Sequence, residues 1–214
     1  MQVCILTLNV QNTEGDPRRH ALINRELQRL DPDLVALQEV VHTPECDQLD
    51  ELLAGTDLHG THQAQAMAYT PPWLDRYGGT AVASRWPHRV VEVLDLRLHD
   101  APDVPWCTLA VIVDLPGAGE VLYHDVWATA GDGPGATWTV DNPTARAVID
   151  QIVRQPTHRR RLDYVFIGSA HAHPRAHCTI KTASLAFDQP LEGIWASDHS
   201  GSWSTSTSAT TRER

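Results

Sequence analysis

The sequence predicts a layered α/β domain. Residues 1–55 alternate between strand and helix patterns, and residues 77–115 carry strand patterns with no helical pattern between them. The 214 residues are 42% hydrophobic and 21% charged, which is ordinary for a globular protein and too apolar for a disordered one. This length favours one domain, which we place at residues 1–204, with a flexible, Ser/Thr-rich tail at 205–214.

The first elements are predicted in the order strand, helix, strand, helix. Residues 3–10 alternate and are rich in β-branched side chains, which is typical of a strand. Asp16-Pro17 is a helix start, and apolar residues then recur at i, i+4 and i+7 up to Leu30. Residues 34–37 predict a buried strand, and residues 43–54 predict a second helix.

The rest of the chain is predicted to be mostly strands. One helix is expected over 144–154, and residues 204–214 are expected to fray. The predicted strands are 77–84, 89–96, 108–115, 161–167, 178–187 and a short last one at 202–204.

Several classes of protein are disfavoured by composition. The longest aliphatic run, 109–113, is far shorter than the roughly 20 residues of a membrane helix. The first residues lack a basic region and a small-residue cleavage site, so we expect a cytoplasmic protein without a secretory signal. The four cysteines form no CxxC pair, which argues against a zinc ribbon and favours reduced thiols.

The chain is acidic, with 17 basic and 27 acidic residues and a net charge of -10. Such a charge repels a polyanion at long range. Bulk nucleic-acid binding therefore requires local positive potential, either from a bound cation or from the arginine cluster at 159–161. A solvated loop before a strand is the other interpretation of that cluster.

Polar side chains of a metal-binding type lie at or near predicted strand ends. They are Asn9, Glu39, Asp163 and Asp198, with His199 beside the last. Oxygen donors of this kind suit Mg²⁺ or Mn²⁺. An adjacent histidine can act as a general base or stabilise developing charge, and a nearby carboxylate can orient its ring.

The segments around these residues make the combination more specific. Together, and in this order, they resemble the endonuclease/exonuclease/phosphatase superfamily. They are Thr7-Leu8-Asn9-Val10-Gln11-Asn12, Asp33-Leu34-Val35-Ala36-Leu37-Gln38-Glu39-Val40, Gly78-Gly79-Thr80-Ala81-Val82-Ala83-Ser84-Arg85, Arg161-Leu162-Asp163-Tyr164-Val165-Phe166 and Ser197-Asp198-His199. Gly135-Ala136-Thr137-Trp138 and Asn142-Pro143 are also similar to a later loop of that family.

The resemblance implies a fold and an activity. The fold is a four-layer αββα sandwich of two mixed β-sheets. The activity is divalent-metal-dependent hydrolysis of a phosphodiester or phosphomonoester by an activated water. The ligand is then a phosphorylated small molecule, a lipid head group or a nucleic acid.

Carried over by position, the resemblance also implies roles for individual residues. The metal-binding set is Glu39, Asp198 and Asn9. The catalytic set is the Asp163–His199 pair, together with Asn9 at the phosphate. A substrate cleft is bordered by Ser84 and Arg85.

Two family motifs are missing from this chain. One is a strand ending in Thr-His, and the other is a strand ending in Gly-Asp-x-Asn. The sequence passes directly from residues 121–123 to 124–127, where the family has both strands, and Thr61-His62 comes too early to replace the first. We therefore expect an incomplete second sheet and impaired catalysis. The alternative is a non-catalytic remnant that binds metal, a phosphorylated ligand or a protein partner.

A second metal site is a competing hypothesis. His171, His173, His177 and Cys178 form the pattern H-x-H-x3-H-C. Imidazole and thiolate ligands suit Zn²⁺. The same segment lies between two predicted strands, so a plain connecting loop is the other interpretation.

Overall fold

A computed structural model describes residues 1–67, 78–95, 107–113, 122–169 and 176–210. Helices and strands follow one another in mixed order along these ranges. They are β1 (Gln2–Asn9), α1 (Arg19–Leu30), β2 (Leu34–Val40), α2 (Gln48–Leu53), β3 (His59–His62), α3 (Gln63–Ala66), β4 (Gly79–Ser84), β5 (His88–Asp95), β6 (Cys107–Val113), β7 (Leu122–Asp125), α4 (Val126–Ala130), β8 (Trp138–Thr139), α5 (Pro143–Ile152), β9 (Arg159–Arg160), β10 (Phe166–Ser169), β11 (Ala176–Ala186) and β12 (Gly201–Thr210).

The opening β1, α1 and β2 confirm the predicted strand–helix–strand pattern. Helix α1 buries Leu22, Ile23 and Leu27 on one side, as its apolar spacing requires. It ends at Asp31, which adopts the left-handed conformation and donates its backbone N–H to the Leu27 carbonyl. The chain then re-enters the sheet as β2.

A six-stranded mixed sheet organises this part of the molecule, in the order β11-β12-β1-β2-β4-β3. Strands β1 and β2 are parallel, and Asn9 at the end of β1 lies opposite Gln38. Strand β4 runs antiparallel to β2. The carboxyl ends of β1 and β2 therefore meet at one edge of the sheet, which we call the β1–β2 edge.

The main hydrophobic core lies between this sheet and the helices α1 and α2. Its largest fully buried apolar side chains come from all of these elements, and each contributes about 1.5–3 kcal/mol by leaving water. They include Leu6, Leu8, Ile23, Leu27, Leu37 and Leu52. This packing fixes the position of the β1–β2 edge.

The remaining described strands form two-stranded sheets: β5 with β6, β7 with β10, and β8 with β9. The fold is thus mixed α/β, which confirms the predicted class. No helix in the described ranges combines the length and apolarity that spanning a membrane requires.

Two predicted boundaries are wrong for local reasons. Helix α2 begins at Gln48 and not at residue 43, because Thr43 and Cys46 form a hydrogen-bonded turn and Asp47 caps the helix. Strand β10 begins at Phe166 and not at residue 161. The backbone N–H groups of Leu162 and Asp163 donate to Thr137 Oγ1 in place of a neighbouring strand.

The predicted tail is also wrong over most of its length, because β12 continues to Thr210. It lies between β1 and β11, and it hydrogen-bonds to both of them. Alternate side chains of its first half point inward, so that Ser202, Ser204 and Ser206 are buried. A strand covered in this way is held by its two neighbours, although its own side chains are small and polar.

Candidate active site

Asn9 and Glu39 form the first part of the site, at the β1–β2 edge. The Asn9 side-chain amide donates to Glu39 Oε1 at 2.8 Å. Its oxygen, Oδ1, accepts from the backbone N–H of Gln11 at 2.8 Å. The parallel pairing of β1 and β2 brings these two residues together across 30 positions of sequence.

Glu39 occupies a bulge in β2. Its φ is +58°, and the pairing with β4 shifts register between Leu37 and Val40. A non-glycine residue with positive φ is uncommon, and bulges of this kind re-aim side chains beside functional sites. The bulge explains how a carboxylate reaches the strand end while its neighbours continue the sheet.

Gly78 immediately precedes β4 and packs closely against the backbone of the bulge. A Cβ atom at this position would lie 2.4 Å from the Glu39 carbonyl carbon and 2.5 Å from its oxygen. Gly78 also has a φ of +70°. The close approach of the two backbones therefore requires glycine here, which gives the Gly78-Gly79 motif a physical role.

Glu39 is partly buried and lies among charges of both signs. Burial raises the pKa of its carboxyl group, while the hydrogen bond from Asn9 acts in the opposite direction. The Asp198 charge raises it further, and His199 lowers it. A second amide, that of Asn12, lies 3.5 Å from Glu39 Oε2. Asn12 belongs to a family-like segment of the sequence, but no role was predicted for it.

Asp163 and His199 form the second part of the site. Their atoms Oδ2 and Nδ1 are 2.8 Å apart, and both side chains are largely buried. Burial lowers the pKa of His199, but the hydrogen bond and the charge of Asp163, helped by Asp198 and Glu39, outweigh it and raise this pKa above its usual value. Asp163 and His199 thus form a hydrogen-bonded carboxylate–imidazole pair.

The loop after α4 orients this pair. Thr137 Oγ1 accepts from the Asp163 backbone N–H at 3.2 Å, and the Thr137 carbonyl accepts from Ser200 N–H at 2.8 Å. The Asn142 side-chain amide donates to the Ser197 carbonyl at 2.9 Å. The Trp138 ring stacks with His199 at a centroid distance of 6.1 Å. Thr137, Trp138 and Asn142 belong to the family-like segments of the sequence, but they were not predicted to be part of the site.

Asp198 connects the two parts electrostatically. Its charge raises the pKa of Glu39 and contributes to the raised pKa of His199. Its Oδ1 also accepts a hydrogen bond from Ser197 Oγ at 3.3 Å. Two hydrogen-bonded pairs with Asp198 beside them thus make up the candidate site.

Ser84 and Arg85, which were predicted to border a substrate cleft, lie away from the Asn9–Glu39 and Asp163–His199 pairs. Ser84 pairs with Leu34 at the start of β2, about 16 Å along the strand from Glu39. It is fully buried and bonds to the Trp86 carbonyl at 2.5 Å. Arg85 pairs with Asp31 and Asp33 at 2.6 and 2.8 Å. Both residues stabilise the opposite edge of the sheet.

Two histidine motifs fall elsewhere. His62 lies on β3, where its Nε2 donates to the Val40 carbonyl at 2.9 Å and its Nδ1 accepts from the backbone N–H of Ala64. His171 and His173 lie outside the described residues, while His177 and Cys178 belong to β11. The zinc hypothesis for that segment therefore stays a prediction.

No cluster of three or more His, Cys, Asp or Glu side chains arranged to hold a metal ion occurs among the described residues. The predicted set nevertheless suits a hard cation chemically, since it consists of two carboxylates and an amide oxygen. The Asp198 charge lies close enough to Glu39 to disfavour the ionised form of the Glu39 carboxyl group. A divalent ion between them would relieve that repulsion, so the donor set fits the ion.

Comparison with known proteins identifies the family of this chain. The model of the Endonuclease/Exonuclease/phosphatase family matches residues 6–152, and the chain belongs to this family. No curated protein matches the sequence.

Solved structures share the fold at low identity. D. rerio TDP2 humanized by 14 mutations is 15% identical with a TM-score of 0.64, covering 96% of this chain and 99% of that one. D. rerio TDP2 complexed with a single-strand DNA product is 16% identical with a TM-score of 0.63, covering 96% and 99%. A family protein from Leptotrichia buccalis is 15% identical with a TM-score of 0.62, covering 94% and 98%.

Proposed function

We propose that this protein hydrolyses a phosphodiester or phosphomonoester with a divalent ion, Mg²⁺ or Mn²⁺, held by Glu39, Asp198 and Asn9. The observation that carries the proposal is the pairing of Asn9 with Glu39 and of Asp163 with His199, in a chain of this family. When bound, such an ion polarises a phosphoryl oxygen and lowers the pKa of a water.

His199 is the group we place at the phosphate. Its Nδ1 is engaged by Asp163, which fixes the ring and leaves Nε2 as the nitrogen for a substrate. A raised pKa favours the protonated imidazolium, which can donate to a phosphoryl oxygen as negative charge develops there. Trp138 stacks with the ring and limits its rotation.

We expect this activity to be weak. The two strands that end in Thr-His and in Gly-Asp-x-Asn in the family are missing where residues 121–123 pass directly to 124–127, and each missing donor to the transition state costs about 10² to 10³ in rate. The costs do not simply add, because such groups act as a unit. The same absence motivates the alternative, a non-catalytic remnant that binds metal, a phosphorylated ligand or a protein partner.

The substrate class we favour is a small or single-stranded phosphodiester. One relative, D. rerio TDP2, was solved with a single-strand DNA product. The net charge of -10 opposes a long duplex, and two members of the arginine cluster are already paired, Arg159 with Asp141 and Arg161 with Asp125. A lipid head group or a phosphomonoester is the competing substrate.

The test is a turnover assay with bis(p-nitrophenyl) phosphate, p-nitrophenyl phosphate and a single-stranded oligonucleotide, with Mg²⁺ or Mn²⁺. Glu39→Gln and His199→Gln should each abolish turnover above background. The matched controls are Glu45→Gln and His59→Gln, which change exposed side chains of the same types. Equal background rates from all five proteins would overturn hydrolysis and support the remnant.

A further inference from the structure

Arg19 is a buried side chain that the proposed chemistry does not use. It opens α1 and is only 2% exposed. Its Nε donates to the Glu14 carbonyl at 2.9 Å, and Nη1 donates to the carbonyls of Val10 and Ala196 at 2.9 and 2.6 Å. Its Nη2 also donates to the Glu14 carbonyl and to two other carbonyls of the same loop, at 3.1 and 3.3 Å.

The acceptors of Arg19 belong to two segments far apart in sequence. Residues 10–14 follow Asn9 and include Asn12, whose amide lies near Glu39. Ala196 precedes Asp198 and His199 by two and three positions. Arg19 therefore connects the loop of the Asn9–Glu39 pair to the loop of the Asp163–His199 pair.

The chemistry of these contacts is unusual for a buried guanidinium. Each of these acceptors is a neutral main-chain carbonyl, and no carboxylate among the described residues forms an ion pair with Arg19 within 4.0 Å. A planar fork with five N–H donors matches this set, whereas the three donors of a lysine ammonium radiate from one point. Geometry, and not charge alone, is therefore what arginine supplies here.

We propose that Arg19 is a positioning residue that couples the two halves of the candidate site and sets the spacing between Glu39 and Asp198. The inference rests on the proposed metal-dependent function. Its prediction differs from that of a purely electrostatic role, because a lysine at this position keeps the charge and would then leave cation binding unchanged. Loss of the fork should weaken it.

The first test is Arg19→Lys, which keeps the charge and removes most of the fork. Mn²⁺ binding measured by isothermal titration calorimetry should weaken by about 10- to 100-fold, as is usual when a partner that orients ligands is lost. Arg18→Lys is the matched control, since the Arg18 side chain is 72% exposed. Unchanged Mn²⁺ affinity in a folded Arg19→Lys protein would overturn the proposal.

A second variant leaves Arg19 in place. Gly15 has a φ of +83°, and a Cβ there would lie 3.0 Å from Arg19 Nε, so in Gly15→Ala the guanidinium must shift by a few tenths of an ångström. Gly193→Ala is the matched control, with a φ of +78° and open space around the added Cβ. Only Gly15→Ala should weaken Mn²⁺ binding. Equal affinities in the two alanine variants would contradict the proposal even if Arg19→Lys fails to fold.

Amide hydrogen exchange of the metal-free protein separates this inference from the proposed function. The N–H groups of Gln11 and Glu14 report on one loop, and those of His199 and Ser200 report on the other. Both sets should exchange faster in Gly15→Ala than in Gly193→Ala. A wild-type protein that binds no Mn²⁺ would overturn the metal-dependent function, and unchanged exchange in both loops would overturn the coupling by Arg19.

Discussion

Two histidines show how a residue of one type acquires opposite properties in the same molecule. His199 has an acidic partner, Asp163, which outweighs the effect of burial and raises its pKa. His62 is fully buried against the Val40 carbonyl and stacks with His42 at 5.1 Å. Burial lowers the pKa of His62 to about 4, because no carboxylate of comparable strength offsets the loss of water.

The lowered pKa of His62 predicts a specific loss of stability in acid. The unfolded chain protonates this ring near pH 6.5, whereas the folded protein resists protonation down to about pH 4. The contribution is therefore fully present above pH 6.5 and is lost as the pH falls towards 4. A shift of this size corresponds to about 3 kcal/mol of unfolding free energy.

Urea unfolding at a series of pH values checks this prediction. Between pH 7 and pH 4.5, wild type should lose about 2–3 kcal/mol more than His62→Gln, whose side chain does not titrate. His59→Gln, which removes an exposed histidine of the same strand, should behave like wild type. Parallel curves for all three proteins would show that His62 is protonated with little cost in the folded state.

At the scale of elements, the bulge in β2 depends on its neighbour. We expect Gly78→Ala to lower the unfolding free energy by more than the about 1–2 kcal/mol that positive φ costs an L-residue, because its methyl group would meet the Glu39 backbone at 2.4 Å. It should also displace Glu39 and weaken Mn²⁺ binding. Urea unfolding and calorimetric titration measure the two effects.

The control for Gly78→Ala separates strain from contact. Gly133 has a φ of +69°, close to the +70° of Gly78, and a Cβ added there meets no atom within 4 Å. Gly133→Ala should therefore lower the unfolding free energy only by the cost of positive φ, and it should keep the Mn²⁺ affinity of wild type. Similar losses in both variants would mean that Gly78 serves backbone conformation only.

How far the sequence predicts each element depends on whether its signal is local. Strand β1 and helix α1 follow from alternation and from i, i+4, i+7 spacing, which are properties of neighbouring residues. Strand β12 lacks an apolar alternation, because Ser202, Ser204 and Ser206 occupy its inward positions. Its pairing with β1 and β11 overrides the polar composition that predicted a tail.

The residues of the candidate site divide in the same way, into those with a sequence signal and those placed by contacts between distant segments. Asn9 and Glu39 were predicted from strand ends and from the family resemblance, and parallel pairing places them together. The position of Ser84 could not be predicted from its motif, because a motif does not reveal register: β4 runs antiparallel to β2, so its last residue lies opposite Leu34. Arg19 carries no sequence signal of its burial, since an arginine at the start of a helix is normally exposed.

At the scale of the whole molecule, the excess of acidic charge allows divalent ions to stabilise the folded protein in two ways, by general screening and by binding at one site. The net charge of -10 is screened by any salt, which reduces general repulsion. The candidate site adds a local effect, because the charge of Asp198 opposes ionisation of the partly buried Glu39. Only the local effect requires a specific carboxylate.

Thermal unfolding with and without Mg²⁺ separates the two effects. At a Mg²⁺ concentration of about 100 times its dissociation constant, specific binding adds about 2.7 kcal/mol, or roughly 5–10 °C in Tm for a chain of this size. NaCl at the same ionic strength should reproduce only the screening part. Glu39→Gln should lose the extra rise, whereas the exposed-site control Glu45→Gln should retain it. An equal rise in NaCl would mean that Mg²⁺ stabilises the fold by screening alone, without an ion at the β1–β2 edge.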